Sequence, residues 1–89
     1  MKAITADSFG EPEVLRMAEV ETPKPAPGQF LVKVEAAGIN YADLMMRAGT
    51  YPGGPGVPFV PGLEVAGTIA EGPRQGEGVV GFTWSGGYA

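Results

Sequence analysis

The sequence contains neither cysteine nor histidine, and each absence removes a class of chemistry. Without thiols no disulfide can brace a small core. Without thiolate and imidazole the usual ligands of a zinc centre are missing. No nucleophile with a histidine base can be assembled either. Basic residues are also scarce: six against ten acidic ones, a net charge of -4, scattered from Lys2 to Arg74. A nucleic-acid surface needs clustered Lys and Arg, so no nucleic-acid partner is expected. No run of about 18 apolar residues spans a membrane, and the first residues lack the basic-then-apolar order of a secretory signal. A cytoplasmic location without a membrane partner is therefore the expectation. No G-x-G-x-x-G follows a strand, so no dinucleotide-binding turn is expected within the chain, and internal repeats are lacking.

What is plentiful is punctuation. Fifteen glycines and nine prolines make up more than a quarter of the 89 residues, and they fall between apolar runs as turns do in an all-β domain. A chain of this length forms one domain that buries roughly 60 to 70% of its unfolded surface. It should be marginally stable on packing alone. Lys2–Ser8 reads as a first strand, closed by the turn formers Gly10 and Pro12. Val14–Val20 reads as a half-buried strand with Leu15 and Met17 on one side and Arg16 on the other, although its composition equally allows a helix. Pro23–Gly28 must be extended or turning. Gln29–Ala37 alternates cleanly and is the clearest strand.

After Gly38, residues 40 to 48 read as one short helix. Asn40 suits the N-cap, Asp43 completes a capping-box pair, Leu44 and Ala48 share a face, and Gly49 suits the C-terminal end. Thr50–Gly62 is a long loop rich in Pro and Gly that Phe59 and Val60 can anchor, and such loops are usually functional or disordered. Leu63–Ala70 forms a strand in which Gly67 marks a bulge or a close backbone approach. Glu71–Gly78 turns, and Val79–Trp84 is a last strand. The chain ends soon after that strand, which is expected of a cut rather than a natural terminus. The fold class is mainly β: a small barrel or folded sheet with one helix.

Chemistry-bearing side chains concentrate in AAGINYADLMMRAGTY, Ala36–Tyr51. Capping accounts for Asn40 and Asp43, but a carboxamide and a carboxylate at a helix start can also hold a ligand. Tyr51 is either loop packing or a phenol able to donate to a developing enolate oxygen. Met45 and Met46 read as core or pocket lining. Glu64, between Leu63 and Val65, lies on the solvent face or is buried with a partner, for which Arg47 and Lys33 are the candidates. Trp84 and Tyr88 read as barrel residues.

FGEPEVL (Phe9–Leu15), PKPAPGQFLVKVEAAGINYAD (Pro23–Asp43) and PFVPGLEVAG (Pro58–Gly67) resemble the start of the zinc-independent quinone oxidoreductases of the medium-chain dehydrogenase/reductase superfamily, with GGYA (Gly86–Ala89) similar to that family's next marker. The resemblance implies that residues 1–89 are a truncated N-terminal catalytic domain, a partly open GroES-like β-barrel. It further implies that a separate Rossmann domain, outside this chain, binds NADPH. Zinc-dependent relatives carry cysteine where Asn40 stands and histidine where Leu63 stands, so no zinc is expected. By the same resemblance Asn40, Tyr41 and Asp43 face the nicotinamide, and Tyr51 faces the substrate as the catalytic acid. Met45 and Phe59 would line the substrate side, and Glu64 would support the site from behind. Many members have a tyrosine at the Met45 position, which leaves Tyr51 the one candidate acid. The G-D-R-V hairpin usual in the family is shortened here to GEGVVG.

The implied activity is hydride transfer from NADPH to a quinone or electron-poor alkene by a homodimeric full-length enzyme, the fragment alone being inactive. Reduction of 2-enoyl thioesters is the nearest rival within the resemblance. A GroES-like module that docks a protein through its Gly/Pro loop is the rival outside enzymology. The choice between NADPH and NADH is set by residues of the second domain.

Overall fold

The computed structural model describes residues 1–89 as five strands, a single turn of 3₁₀ helix and one α-helix. β1 (Lys2–Ala6) and β2 (Leu15–Glu19) pair antiparallel as a two-stranded ribbon, with Ala6 opposite Leu15. The 3₁₀ turn Pro12–Val14 carries the chain into β2, Pro12 standing where its missing N–H is no loss. β3 (Val32–Ala37), β4 (Glu64–Ile69) and β5 (Gly78–Phe82) form a second antiparallel sheet in that order. Between β3 and β4 lie the helix α1 (Tyr41–Ala48) and the Gly/Pro loop.

The two sheets do not close into a barrel. They are joined by backbone bonds: Ala6 and Phe59 exchange N–H and C=O at 2.9 and 3.1 Å, and Ile4 N–H donates to the Tyr88 carbonyl at 3.0 Å. This is the mainly β, partly open, incomplete GroES-like fold implied by the resemblance. The core lies at that junction, where Ala6, Met46 and Phe59 are buried together beneath Val14, Leu15, Tyr51 and Leu63.

Several expectations need correction. The clean alternation of Gln29–Ala37 joins the sheet only from Val32, because Gln29 is held in a turn. Its N–H donates to Ala26 C=O and its side-chain oxygen accepts from Ala26 N–H, both at 2.9 Å. Met17, expected on a half-buried face, is 63% exposed, since a two-stranded ribbon leaves it opposite Ile4 with nothing above it. The face that Leu44 and Ala48 share stays largely exposed, and the helix buries Asp43 and Met46 instead. An apolar pair was thus outranked by a carboxylate, which at N3 accepts the Asn40 backbone N–H and lies in the favourable first turn.

Gly67 behaves as expected. It sits opposite Val34, where β3 bulges between Val34 and Ala36, and a Cβ there would overlap the Lys33 carbonyl oxygen. GEGVVG, Gly76–Gly81, leads from a turn into β5 and opens no helix, so it has the spacing of a phosphate-binding loop without the geometry. β5 is an edge strand whose outward residues Val80 and Phe82, continued by Trp84, are all largely exposed.

Candidate functional site

β3 ends at Ala37, and the chain turns at Gly38, where a side chain would collide with the Glu64 carboxylate. Gly38 N–H donates to the Glu64 carbonyl at 3.2 Å, which fastens this corner to the start of β4. Asn40 then adopts extended dihedrals as N-cap, and α1 runs to Gly49, whose φ of 81° ends it. Asp43 is 4% exposed. Its Oδ2 accepts the Asn40 backbone N–H at 2.9 Å and the Tyr88 hydroxyl at 3.5 Å, whereas Oδ1 has no partner. Asn40 Nδ2 and Arg47 Nε are likewise buried without partners.

Asp43 and Arg47 stand four residues apart, the spacing at which acid and base normally pair on a helix. They nevertheless form no ion pair; the three ion pairs of the chain are Met1–Glu19, Arg16–Asp7 and Arg74–Glu77. Instead both line a cavity of about 250 Å³ whose other walls include Leu15, Ile39, Leu44 and Pro61, with Tyr88 at its edge. A buried acceptor and a buried donor without partners, on residues that line an apolar hollow, stand out because unmet polar groups are uncommon in folded proteins.

Tyr88 is the residue that sequence reasoning missed. Its phenol ionises above the ordinary value near 10 because burial disfavours the phenolate, and because the Asp43 charge and hydrogen bond add to that effect. Nothing local could have signalled this contact, since Tyr88 lies 45 residues from Asp43. It is brought there by backbone bonds: Tyr88 N–H donates to Pro61 C=O at 2.9 Å and Gly87 N–H to Gly62 C=O at 3.1 Å. In an alkaline spectrophotometric titration of the three tyrosines, Tyr88→Phe should remove the highest-pH step. Asp43→Asn should lower that step only in part, because burial is the larger cause. A folded-state value raised in this way contributes stability that is complete below pH about 10 and is lost as pH rises through the folded value. Tyr88→Phe should therefore be less sensitive to alkali than the unmodified chain.

Other expected site residues are more dispersed. Tyr51 does not share the Asp43 cavity. It packs against the core and lines a separate hollow of about 170 Å³ with Phe9, Met46, Gly49 and Pro55. Tyr41 is 77% exposed at the first helical position. Met45 is half-buried, and Phe59 belongs to the core. Glu64 is half-buried and packs on Gly38; neither Arg47 nor Lys33 pairs with it. No three His, Cys, Asp or Glu side chains converge, and no helix is long and apolar enough to cross a membrane.

Residues 26–86 match the alcohol dehydrogenase GroES-like domain family, and the chain belongs to it, as an N-terminal segment of the medium-chain dehydrogenase/reductase superfamily. Within the superfamily its similarity runs to quinone oxidoreductases. It is 45% identical to the quinone oxidoreductase of Lama guanicoe over 100% of this chain and 29% of that protein. A probable oxidoreductase from Mycobacterium abscessus superposes with a TM-score of 0.92 at 41% identity, over 99% of this chain and 30% of that one. The quinone oxidoreductase of Thermus thermophilus, also solved in complex with NADPH, gives 0.86 at 34% identity, over 100% and 28%. The chain thus spans about three tenths of the length of these relatives.

Proposed function

We propose that this chain is the substrate-side domain of a cytoplasmic, zinc-free, homodimeric oxidoreductase that passes a hydride from NADPH to a quinone or electron-poor alkene. The observation that carries the reading is the buried Asp43 carboxylate, one oxygen of which has no partner, in the wall of an apolar hollow in a chain of this family. The hollow suits a flat ring bearing a polar substituent, so the nicotinamide end of the cofactor fits the residues present. When bound, NADPH supplies the hydride, while its phosphates and adenosine are held by a second domain. Asp43 orients the ring, with Asn40 and Tyr41 at the same helix start, and Tyr51, from the separate hollow it lines, supplies a hydrogen bond or proton to an acceptor oxygen held there as charge develops on it. Met45 flanks the acceptor, Phe59 holds the loop that carries Tyr51, and Glu64 sets the corner before the helix.

The test uses the enzyme that carries this domain, with NADPH and 1,4-benzoquinone. Turnover is expected. Tyr51→Phe should lower it about a hundredfold, within the range of general acid catalysis; unchanged turnover on quinones and enones would remove the acid role. The 89-residue chain alone should leave NADPH unoxidised, and oxidation above the uncatalysed background would place the cofactor site within this chain instead.

A further inference from the structure

The edge of the larger sheet lacks the devices that normally protect such edges. β5 bonds to β4 alone. Thr83 N–H donates to Leu63 C=O at 2.6 Å and Ile69 N–H to Glu77 C=O at 3.0 Å, which puts the odd-numbered residues of β5 in the bonded positions of the antiparallel ladder. The N–H and C=O groups of Gly78, Val80 and Phe82 therefore face outward, unpaired. Sheets usually guard such a row with charge, proline or a bulge. β1 to β4 each carry at least one charged side chain, whereas GVVGFTW, Gly78–Trp84, has no charge and no proline, and β5 keeps register with β4 without a break. At alternate positions along this run Val80, Phe82 and Trp84 are 85, 83 and 69% exposed, so nothing in the chain covers them.

We propose that β5 pairs antiparallel with β5 of a second copy of this chain, about a two-fold axis at Gly81, joining two three-stranded sheets into one of six strands. In that register Val80 and Phe82 of one copy exchange N–H and C=O with Phe82 and Val80 of the other. Each Phe82 then lies beside Val80 of the second copy, an aromatic–β-branched pair, and each Trp84 falls over Gly78 of the second copy, which leaves room for the indole. Charge permits the approach. Glu77, just outside the run, is held by Arg74 at 2.6 Å and would face the uncharged Ser85 of the second copy. On the exposed face the nearest carboxylate is Glu64, opposite Phe82 on β4. Three strand spacings, roughly 14 Å, would separate the two Glu64 positions, more than the Debye length of about 8 Å at physiological salt. A foreign strand would have to bring an equally uncharged, aromatic face, which a second copy supplies by symmetry. The contact is small: with aromatic side chains burying about 150–250 Å² each, it stays at or below the roughly 1,200 Å² where standard interfaces begin. A dissociation constant on the order of 0.1 mM is therefore expected. The pairing needs no cofactor, so its failure would leave the hydride-transfer reading intact, and the reverse also holds.

The test is sedimentation equilibrium of the 89-residue chain from about 10 μM to about 1 mM, which brackets that constant. The mass should rise from 9.2 kDa toward twice that value and no further, because a two-fold pair uses up the edge. Val80→Lys and Phe82→Lys, both at largely exposed positions, should each weaken dimerisation by at least about tenfold while keeping the far-UV circular dichroism of the fold. Met17→Lys, on the exposed side of the other sheet, should leave it unchanged. Hydrogen exchange gives a second reading across the same concentrations. The amides of Val80 and Phe82 should slow severalfold, with those of Val79 and Gly81, already bonded to β4, changing least. Should a lysine variant lose its fold, this alternation in the unmodified chain decides. A chain that stays monomeric at the highest concentration, a dimer that persists in both folded lysine variants, slowing centred on β1 or β2, or growth past the dimer would each overturn the pairing.

Discussion

Phe59→Ala is expected to be the most damaging single side-chain truncation in the chain. Phe59 is 9% exposed and packs with Ala6 and Met46, so it joins β1, the helix and the Gly/Pro loop at one point. Truncating a buried Phe costs about 3–5 kcal/mol through lost transfer energy and the cavity left behind. A small domain has only about 5–15 kcal/mol in total, and just 12 of the 89 residues here are buried, so few neighbours can share the loss. The backbone exchange between Phe59 and Ala6 needs no side chain and can survive the change; the deficit therefore reports packing. Urea denaturation followed by circular dichroism should give a midpoint lowered to the edge of the folded range, and Phe59→Leu should recover much of it. A loss below about 1 kcal/mol would mean that the loop is not anchored by this ring.

Four prolines and four glycines between Thr50 and Gly62 leave order or disorder open on composition, and the buried Phe59 ring, with Tyr51 packed against the same cluster, decides for order because it completes a core. Other parts of the architecture were as legible. Turn residues bracketed all five strands, and the cap residues Asn40, Asp43 and Gly49 bounded the helix to within a residue. These features are local, and local chemistry is what a sequence displays. Which helix face is buried was not legible, because Leu44 and Ala48 have the apolar spacing while Asp43 has the cap, and only the tertiary contact with Tyr88 ranks them. The site was half legible for the same reason. Asn40 and Asp43 stand in one motif, whereas Arg47 and Tyr88 gain meaning from an ion pair that does not form and from a chain segment returning alongside Pro61 and Gly62. The grouping of Tyr51 with Asp43 followed nearness in sequence, but the helix separates them, and they line different hollows.

Gly67→Ala should be nearly as harmful as the loss of Phe59, for the opposite reason. At Gly67 the neighbouring strand comes so close that an added methyl would overlap the Lys33 carbonyl oxygen. It would also sit 2.9 Å from the Lys33 carbonyl carbon and 3.1 Å from Val34 Cα. All three atoms are backbone, so no side-chain rotation relieves the contact, and β3 must move or its bulge must open. Overpacking a well-fitted interior costs about 1–3 kcal/mol, and a value at or above the upper end is expected because the strand itself resists. Gly81→Ala is the matched control: it lies on β5 of the same sheet, and its new Cβ would meet only Val65 Cγ2 at 3.8 Å, an ordinary contact. Paired urea midpoints should therefore separate the two variants by more than about 2 kcal/mol. Equal midpoints would show that β3 accommodates the methyl. The consequence reaches the site, since the bulge at Val34–Ala36 sets where β3 delivers Gly38 and hence where α1 begins. If Gly67→Ala remains folded, displacement of that corner should loosen Asp43 from Tyr88, and the high-pH tyrosine step should fall toward its ordinary value in Gly67→Ala but not in Gly81→Ala.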